Sequence, residues 1–191
     1  MTTENFKDQE IIRLLALPGK KETAFSLLLK TYKEPVYWLI RKMVIVHEDA
    51  DDLVQEVFLK IWVHLEKFRG DSKLYTWIYR IAVNETLNFL NKKNKRLFLP
   101  INDYREYQAR MIDNDAFYTD DIIEKRLQKA LLTLPPKQKL IFELKYFKNM
   151  KYEEIAELLG GTTGSLKASY HHAVKKIQQQ LKFELNWEHE K

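Results

Sequence analysis

Asp52, Gln55 and Glu56 stand at i, i+3 and i+4, a spacing that gathers two carboxylates and an amide on one helix face. Such a group could ligate a metal ion or move a proton. No histidine sits at a matching offset, so an enzyme site is disfavoured; a docking face for a basic partner and plain solvation both explain the spacing. A second group is Tyr75, Trp77 and Tyr79, followed by Asn84 and Asn88 and then the cations Lys92, Lys93, Lys95 and Arg96. Rings stack on unpaired bases and cations follow phosphates, which are the ingredients of single-strand binding. The plainer use of such rings is core packing, expected for Trp77 and for part of the Tyr75/Tyr79 pair. A third group is Ser165, Lys167, Ala168, His171, His172 and Lys175, in a stretch from Thr162 to Lys182 with four lysines and no acid. Hydrogen-bonding side chains and positive charge on one side are what a helix reading the major groove requires, although a solvated basic face is the alternative. His171 and His172 are adjacent and point in different directions around a helix, so they make no metal pair. No nucleophile elbow, phosphate-binding glycine loop or metal-spaced histidine set is present, so neither catalysis nor a bound cofactor or metal is expected.

Helices must position all three groups. Around the first, Leu53/Val54, Val57/Phe58, Ile61/Trp62 and Leu65 form a broad apolar stripe, and the leading acids Glu48, Asp49, Asp51 and Asp52 suit the positive end of a helix. The second lies on a helix over Lys73–Asn94, entered through the break Phe68–Ser72, where Ser72 can cap the helix start. The third lies on the second helix of a pair within Tyr152–Leu181. Ile155, Ala156, Leu158 and Leu159 make the inner side of the first helix, with Ala156 small where the two would cross. Gly160-Gly161 stops that helix, because glycine takes the left-handed conformation that other residues resist. Thr162 or Thr163 can cap the next helix, whose inner side is Leu166, Tyr170, Ala173, Ile177 and Leu181.

The remaining segments are helical too: Asn5–Leu17 before Pro18-Gly19, Thr23–Val44 kinked or divided at Pro35, Ile122–Leu132, and Lys137–Tyr146 opened by Pro136. Between them Leu97–Asp121 loses helical periodicity and carries six acids against two arginines, which reads as an acidic linker. The chain is therefore expected to be all-α: two small helical domains, 1–96 and 122–191, joined by the linker 97–121. Net charge is +5, which fits an anionic partner. With no cysteine, neither a disulfide nor a zinc–cysteine site can form. The first residues lack a signal peptide's apolar core and no apolar run approaches membrane-spanning length, so a cytoplasmic protein without direct membrane insertion is expected.

Three stretches carry a resemblance: DADDLVQEVFLKIW (Asp49–Trp62), FRGDSKLYTWIYRIAVNETLNFL (Phe68–Leu90), and LPPKQKLIFELKYFKNMKYEEIAELLGGTTGSLKASYHHAVKKI (Leu134–Ile177). Together and in this order they resemble a bacterial extracytoplasmic-function (ECF) sigma factor of the sigma-70 family. The resemblance implies a transcription initiation factor with core RNA polymerase, promoter DNA and an anti-sigma factor as partners. One domain would open the minus-10 element and the other would read the minus-35 element. By motif, Asp51, Asp52, Gln55 and Glu56 would face the polymerase clamp helices. Phe68, Arg69, Gly70, Asp71 and Ser72 would cup a flipped minus-10 base above Asn84, while Tyr75, Trp77, Tyr79, Arg80 and Asn88 support or contact the melted strand. Thr163, Gly164, Ser165, Lys167, Ala168, His171, His172 and Lys175 would meet the minus-35 duplex. The chain departs from the family pattern at Ser169 and His172, where Arg or Lys is common, and at Val174, where Arg is. It departs again at Lys151, where the family often places a Ser or Thr cap. A stand-alone helix-turn-helix regulator would explain Tyr152–Leu181 but leave Asp49–Asn94 idle.

Overall fold

The computed structural model describes the backbone of residues 3–96, 101–115 and 121–189, and over these it is helical throughout with no strand. The chain divides into two compact units, Met1–Thr86 and Leu87–Lys191. That division falls inside a helix, ahead of the acidic stretch.

In the first unit α1 (Thr3–Leu15) packs on α2 (Lys21–Met43), which packs on α3 (His47–His64). A 3₁₀ turn, Leu65–Lys67, leads through Phe68–Lys73 to α4 (Leu74–Arg96). α2 runs through Pro35 without dividing. Proline removes one backbone donor, but Leu28, Tyr32, Val36, Leu39 and Ile40 are buried on both sides of it, and that continuous packed face outweighs the lost bond. Arg41, only 1% exposed, donates from Nη1 to the carbonyls of Val44 and Ile45, satisfying a buried charge and fixing the corner that starts α3. The stripe on α3 is the expected one: Leu53, Val54, Val57, Phe58 and Ile61 are buried. α4 begins at Leu74, so Lys73 and not Ser72 flanks its first turn, and the Trp77 N–H closes that turn onto the Lys73 carbonyl at 3.1 Å. The expected Ser72 cap is therefore one residue out of register.

The second unit holds α5 (Ile101–Asn114), α6 (Ile122–Leu131), α7 (Pro136–Phe142) with a π turn at Glu143–Phe147, α8 (Tyr152–Leu159) and α9 (Thr163–His189). Ala130, Leu131, Leu134, Phe142, Ala173 and Ile177 make its core, with Tyr170, Val174 and Leu181 packed at the margin. Pro136 opens α7 at its first turn, as expected for a residue with no N–H to satisfy there. α5 corrects the expectation that helical periodicity is lost over Leu97–Asp121. Its Ile112 is fully buried, and Asp113 holds Lys129 of α6 at 2.7 Å, so a mostly polar helix is tied to its neighbour through an apolar anchor and an ion pair. The linker residues 97–100 and 116–120 lie outside the described residues. Among the described residues no helix is long and apolar enough to cross a membrane.

Candidate interaction surfaces

Burial of one face of α3 leaves Asp51, Asp52, Gln55 and Glu56 exposed together on the other, as helical spacing requires. Asp51 is tied to a neighbour that the spacing of the acids does not reveal: its Oδ2 lies 3.4 Å from His47 Nε2, and His47 Nδ1 meets the Tyr37 hydroxyl at 2.8 Å. The i, i+4 relation of His47 and Asp51 is the signal that could have found it. Beside the carboxylates runs an open apolar groove of about 560 Å³ between α2 and α3, lined by Phe25, Leu29, Gln55, Phe58, Leu59 and Trp62. Phe25 meets Trp62 edge-on at 5.0 Å, and Lys21 Nζ sits 4.4 Å over the Trp62 ring. Leu59 is 64% exposed and Val63 61%, more apolar surface than a helix turned only toward a core would leave in water. The face thus joins acids to an apolar cleft, a combination that takes a partner helix with basic and apolar side chains. Among the described residues no group of three or more His, Cys, Asp or Glu side chains could hold a metal ion.

The loop between the 3₁₀ turn and α4 is turned by Gly70 at φ +78, where a Cβ would meet nothing within 4 Å; backbone conformation, not space, is what asks for glycine. Arg69, Gly70 and Asp71 are exposed and Ser72 is half-buried. Phe68 folds back so that its ring lies 5.4 Å from that of half-buried Trp77, bringing the loop onto α4. Tyr75 and Tyr79 overlap at 4.1 Å, but Tyr79 is 3% exposed and lies beneath Tyr75. Of the two roles expected for Tyr79, supporting or contacting a strand, this position suits support, and Tyr75 is the more exposed of the two rings. Arg80, Asn84 and Asn88 are exposed along α4, and neither asparagine amide bonds another described residue. Two bare amides on a helix that begins with aromatic rings suit hydrogen bonding to exposed base edges.

In the second unit Gly160 ends α8 at φ +70, its N–H bonded to the Ala156 carbonyl at 2.9 Å, and Gly161 follows at φ +94. Thr162 Oγ1 accepts from the Ser165 N–H at 3.1 Å, the cap expected at this turn. Ser165 in turn donates its hydroxyl to the Thr162 carbonyl at 2.8 Å, so this side chain serves the turn as well as the outer face. Lys151 gives α8 no side-chain cap, but Glu154 compensates by accepting from the Lys151 N–H at 2.7 Å. The inner residues Leu166, Ala173 and Ile177 are buried, while Gly164, Ser165, Lys167, Ala168, His171, His172 and Lys175 are exposed and Thr163 is half-buried. Lys145 and Lys167 lie 5.1 and 5.7 Å from the Tyr152 ring centroid, an aromatic–basic cluster that spacing alone does not reveal because Lys145 comes from the π turn. Burial raises the Tyr152 and Tyr170 hydroxyls above their ordinary range, so both stay protonated donors at neutral pH.

Comparison with known proteins finds two family models in the order of the two faces. Sigma-70 region 2 matches residues 28–96, and Sigma-70, region 4 matches residues 124–177. The RNA polymerase sigma-H factor of Pseudomonas aeruginosa is 29% identical over 185 residues, 92% of this chain and 94% of that protein. The ECF RNA polymerase sigma-E factor of Haemophilus influenzae is 29% identical over 188 residues, 93% of this chain and 97% of that protein. Two solved structures share the fold. The sigma factor RpoE in complex with the anti-sigma factor NepR from Bartonella quintana has a TM-score of 0.60 at 22% identity, covering 83% of this chain and 96% of that one. CnrH in complex with the cytosolic domain of CnrY has a TM-score of 0.65 at 20% identity, covering 92% and 97%.

Proposed function

The chain belongs to the sigma-70 family as a transcription initiation factor of the ECF type, and from that premise we propose how its surfaces divide the work. The acidic face of α3 and its apolar groove dock on core RNA polymerase. Loop Phe68–Ser72 with Asn84 receives an extruded minus-10 base, and Tyr75 offers a ring to the melted strand. The outer face of α9 reads the minus-35 duplex, with Lys167 and Lys175 toward phosphates. The two working domains are 1–96 and 122–191, with 97–121 between them as the tether. An anti-sigma factor holds the protein inactive until a signal releases it, as the solved complexes with NepR and CnrY suggest by likeness of fold. The site of action is the cytoplasm, and the protein works by binding rather than by catalysis.

The observation that carries this reading is the pairing, in one chain, of a region 2 match with a region 4 match. A stand-alone helix-turn-helix regulator gives no use to the first. Reversing Asp52 and Glu56 to Lys tests the docking role, because like charges set against a basic surface cost several kcal/mol. Co-purification with core polymerase should collapse while circular dichroism stays that of the parent. Undiminished binding would refute this use of the face.

A further inference from the structure

His171 and His172 stand side by side on the outer face of α9, both exposed, with ring centroids 6.3 Å apart. Neither imidazole has a hydrogen-bond or ion-pair partner among the described residues. The elements packed on α9 are α6, α7 and α8. Their acids, with that of the π turn after α7, are Glu124, Glu143, Glu153, Glu154 and Glu157, and none is bonded to either ring. α7 itself brings only Lys137 and Lys139. One turn away on α9 itself are Lys167, Lys175 and Lys176, with no acid on that helix before Lys182. The two rings are therefore open to whatever docks on this face.

Resting on the minus-35 reading above, we propose that His171 and His172 make duplex recognition proton-linked, so that DNA binding takes up protons and tightens as the pH falls from 8 to 6. A duplex presents phosphates and, in the major groove, guanine N7 and O6, all of which accept hydrogen bonds. Against a phosphate or a guanine edge a protonated imidazole brings two donors and a positive charge, whereas a neutral one brings a single donor and an acceptor that finds no partner there. Histidine is the side chain whose charge ordinarily changes between pH 5 and 8. Binding to the polyanion favours the charged form, and by linkage the charged form binds more tightly. Each unit by which a proton is held more firmly in the complex is about tenfold in affinity.

The test uses the full chain assembled with core polymerase and a promoter duplex selected from a random pool at pH 8. Affinity is measured at constant salt between pH 6 and 8, for the parent, for His171→Gln/His172→Gln and for His172→Lys. The parent should gain about ten- to a hundredfold more than the double Gln variant on lowering the pH. The His172→Lys variant should hold most of the low-pH affinity at pH 8, a rescue that a mere folding effect would not give. Equal pH slopes in the parent and the double Gln variant would overturn proton linkage while leaving minus-35 recognition standing. Failure of the parent to bind any duplex at either pH would overturn that recognition itself, and this inference with it.

Discussion

Asn84 is the residue on which strand opening is expected to turn. Its amide is exposed and bonds no other described residue, and the loop ahead of its helix is turned by Gly70 at a φ of +78 that other residues resist. Holding a base outside the stack costs a few kcal/mol that a shaped site must recover. Asn84→Ala, with core polymerase present, should therefore leave minus-35 binding unchanged but lower permanganate reactivity of thymines near the start site. The defect should shrink on a template mismatched across the minus-10 element, where no unpairing is needed; an equal defect on both templates would mean that Asn84 does not act in opening. Most of the outward residues are legible from helical spacing, since burying Leu166, Ala173 and Ile177 forces Lys167, Ala168, His171 and Lys175 outward. Tyr79 is less so. Spacing brings Tyr75 and Tyr79 together, but which ring lies beneath depends on what the rest of the first unit packs against α4.

At the scale of elements, the turn between α8 and α9 decides the direction in which the reading helix is aimed. Gly160 sits at φ +70 and ψ 175, a region open almost only to glycine, although a Cβ there would meet nothing within 4 Å. Gly160→Ala should thus destabilise this unit through backbone strain alone, by about 1–3 kcal/mol. Hydrogen exchange across α8 and α9 is the measurement: faster exchange confined to these helices is expected, and unchanged protection would show that the turn relaxes freely. This turn is readable from Gly160-Gly161-Thr162 because its chemistry is local. Three features are not. α2 passes through Pro35 because tertiary packing outweighs a local preference. The π turn at Glu143–Phe147 leaves no mark in side-chain periodicity. α5 is hidden because its apolar residues are outnumbered by polar and charged ones, although Ile112 is buried. The groove beside Gln55 also needs the structure, since Leu59 lies outside the apolar stripe and lines a groove only together with Phe25 and Leu29 of α2.

For the whole molecule, the order of functions follows from two net-basic domains separated by an acidic stretch, with six acids against two arginines between 97 and 121. Two weak attachments on one tether reinforce each other, because the first raises the effective concentration of the second. Cleavage within the 97–121 stretch at 97–100, which leaves α5 with α6, should yield two soluble pieces that together no longer initiate, and full activity from the mixed pieces would remove any need for the tether. The all-helical class and the order of the faces are legible from the sequence. The division at Thr86/Leu87 is not, because α4 continues across it without a break in pattern. This chain is expected to turn core polymerase into a promoter-specific initiator. Run-off transcription on a pool of promoter templates, with core polymerase alone and with the chain added, checks that role. Discrete transcripts that need the chain are expected, from templates sharing paired minus-35 and minus-10 elements. A chain that binds core polymerase yet yields no template-specific transcript from any promoter in the pool would contradict that role.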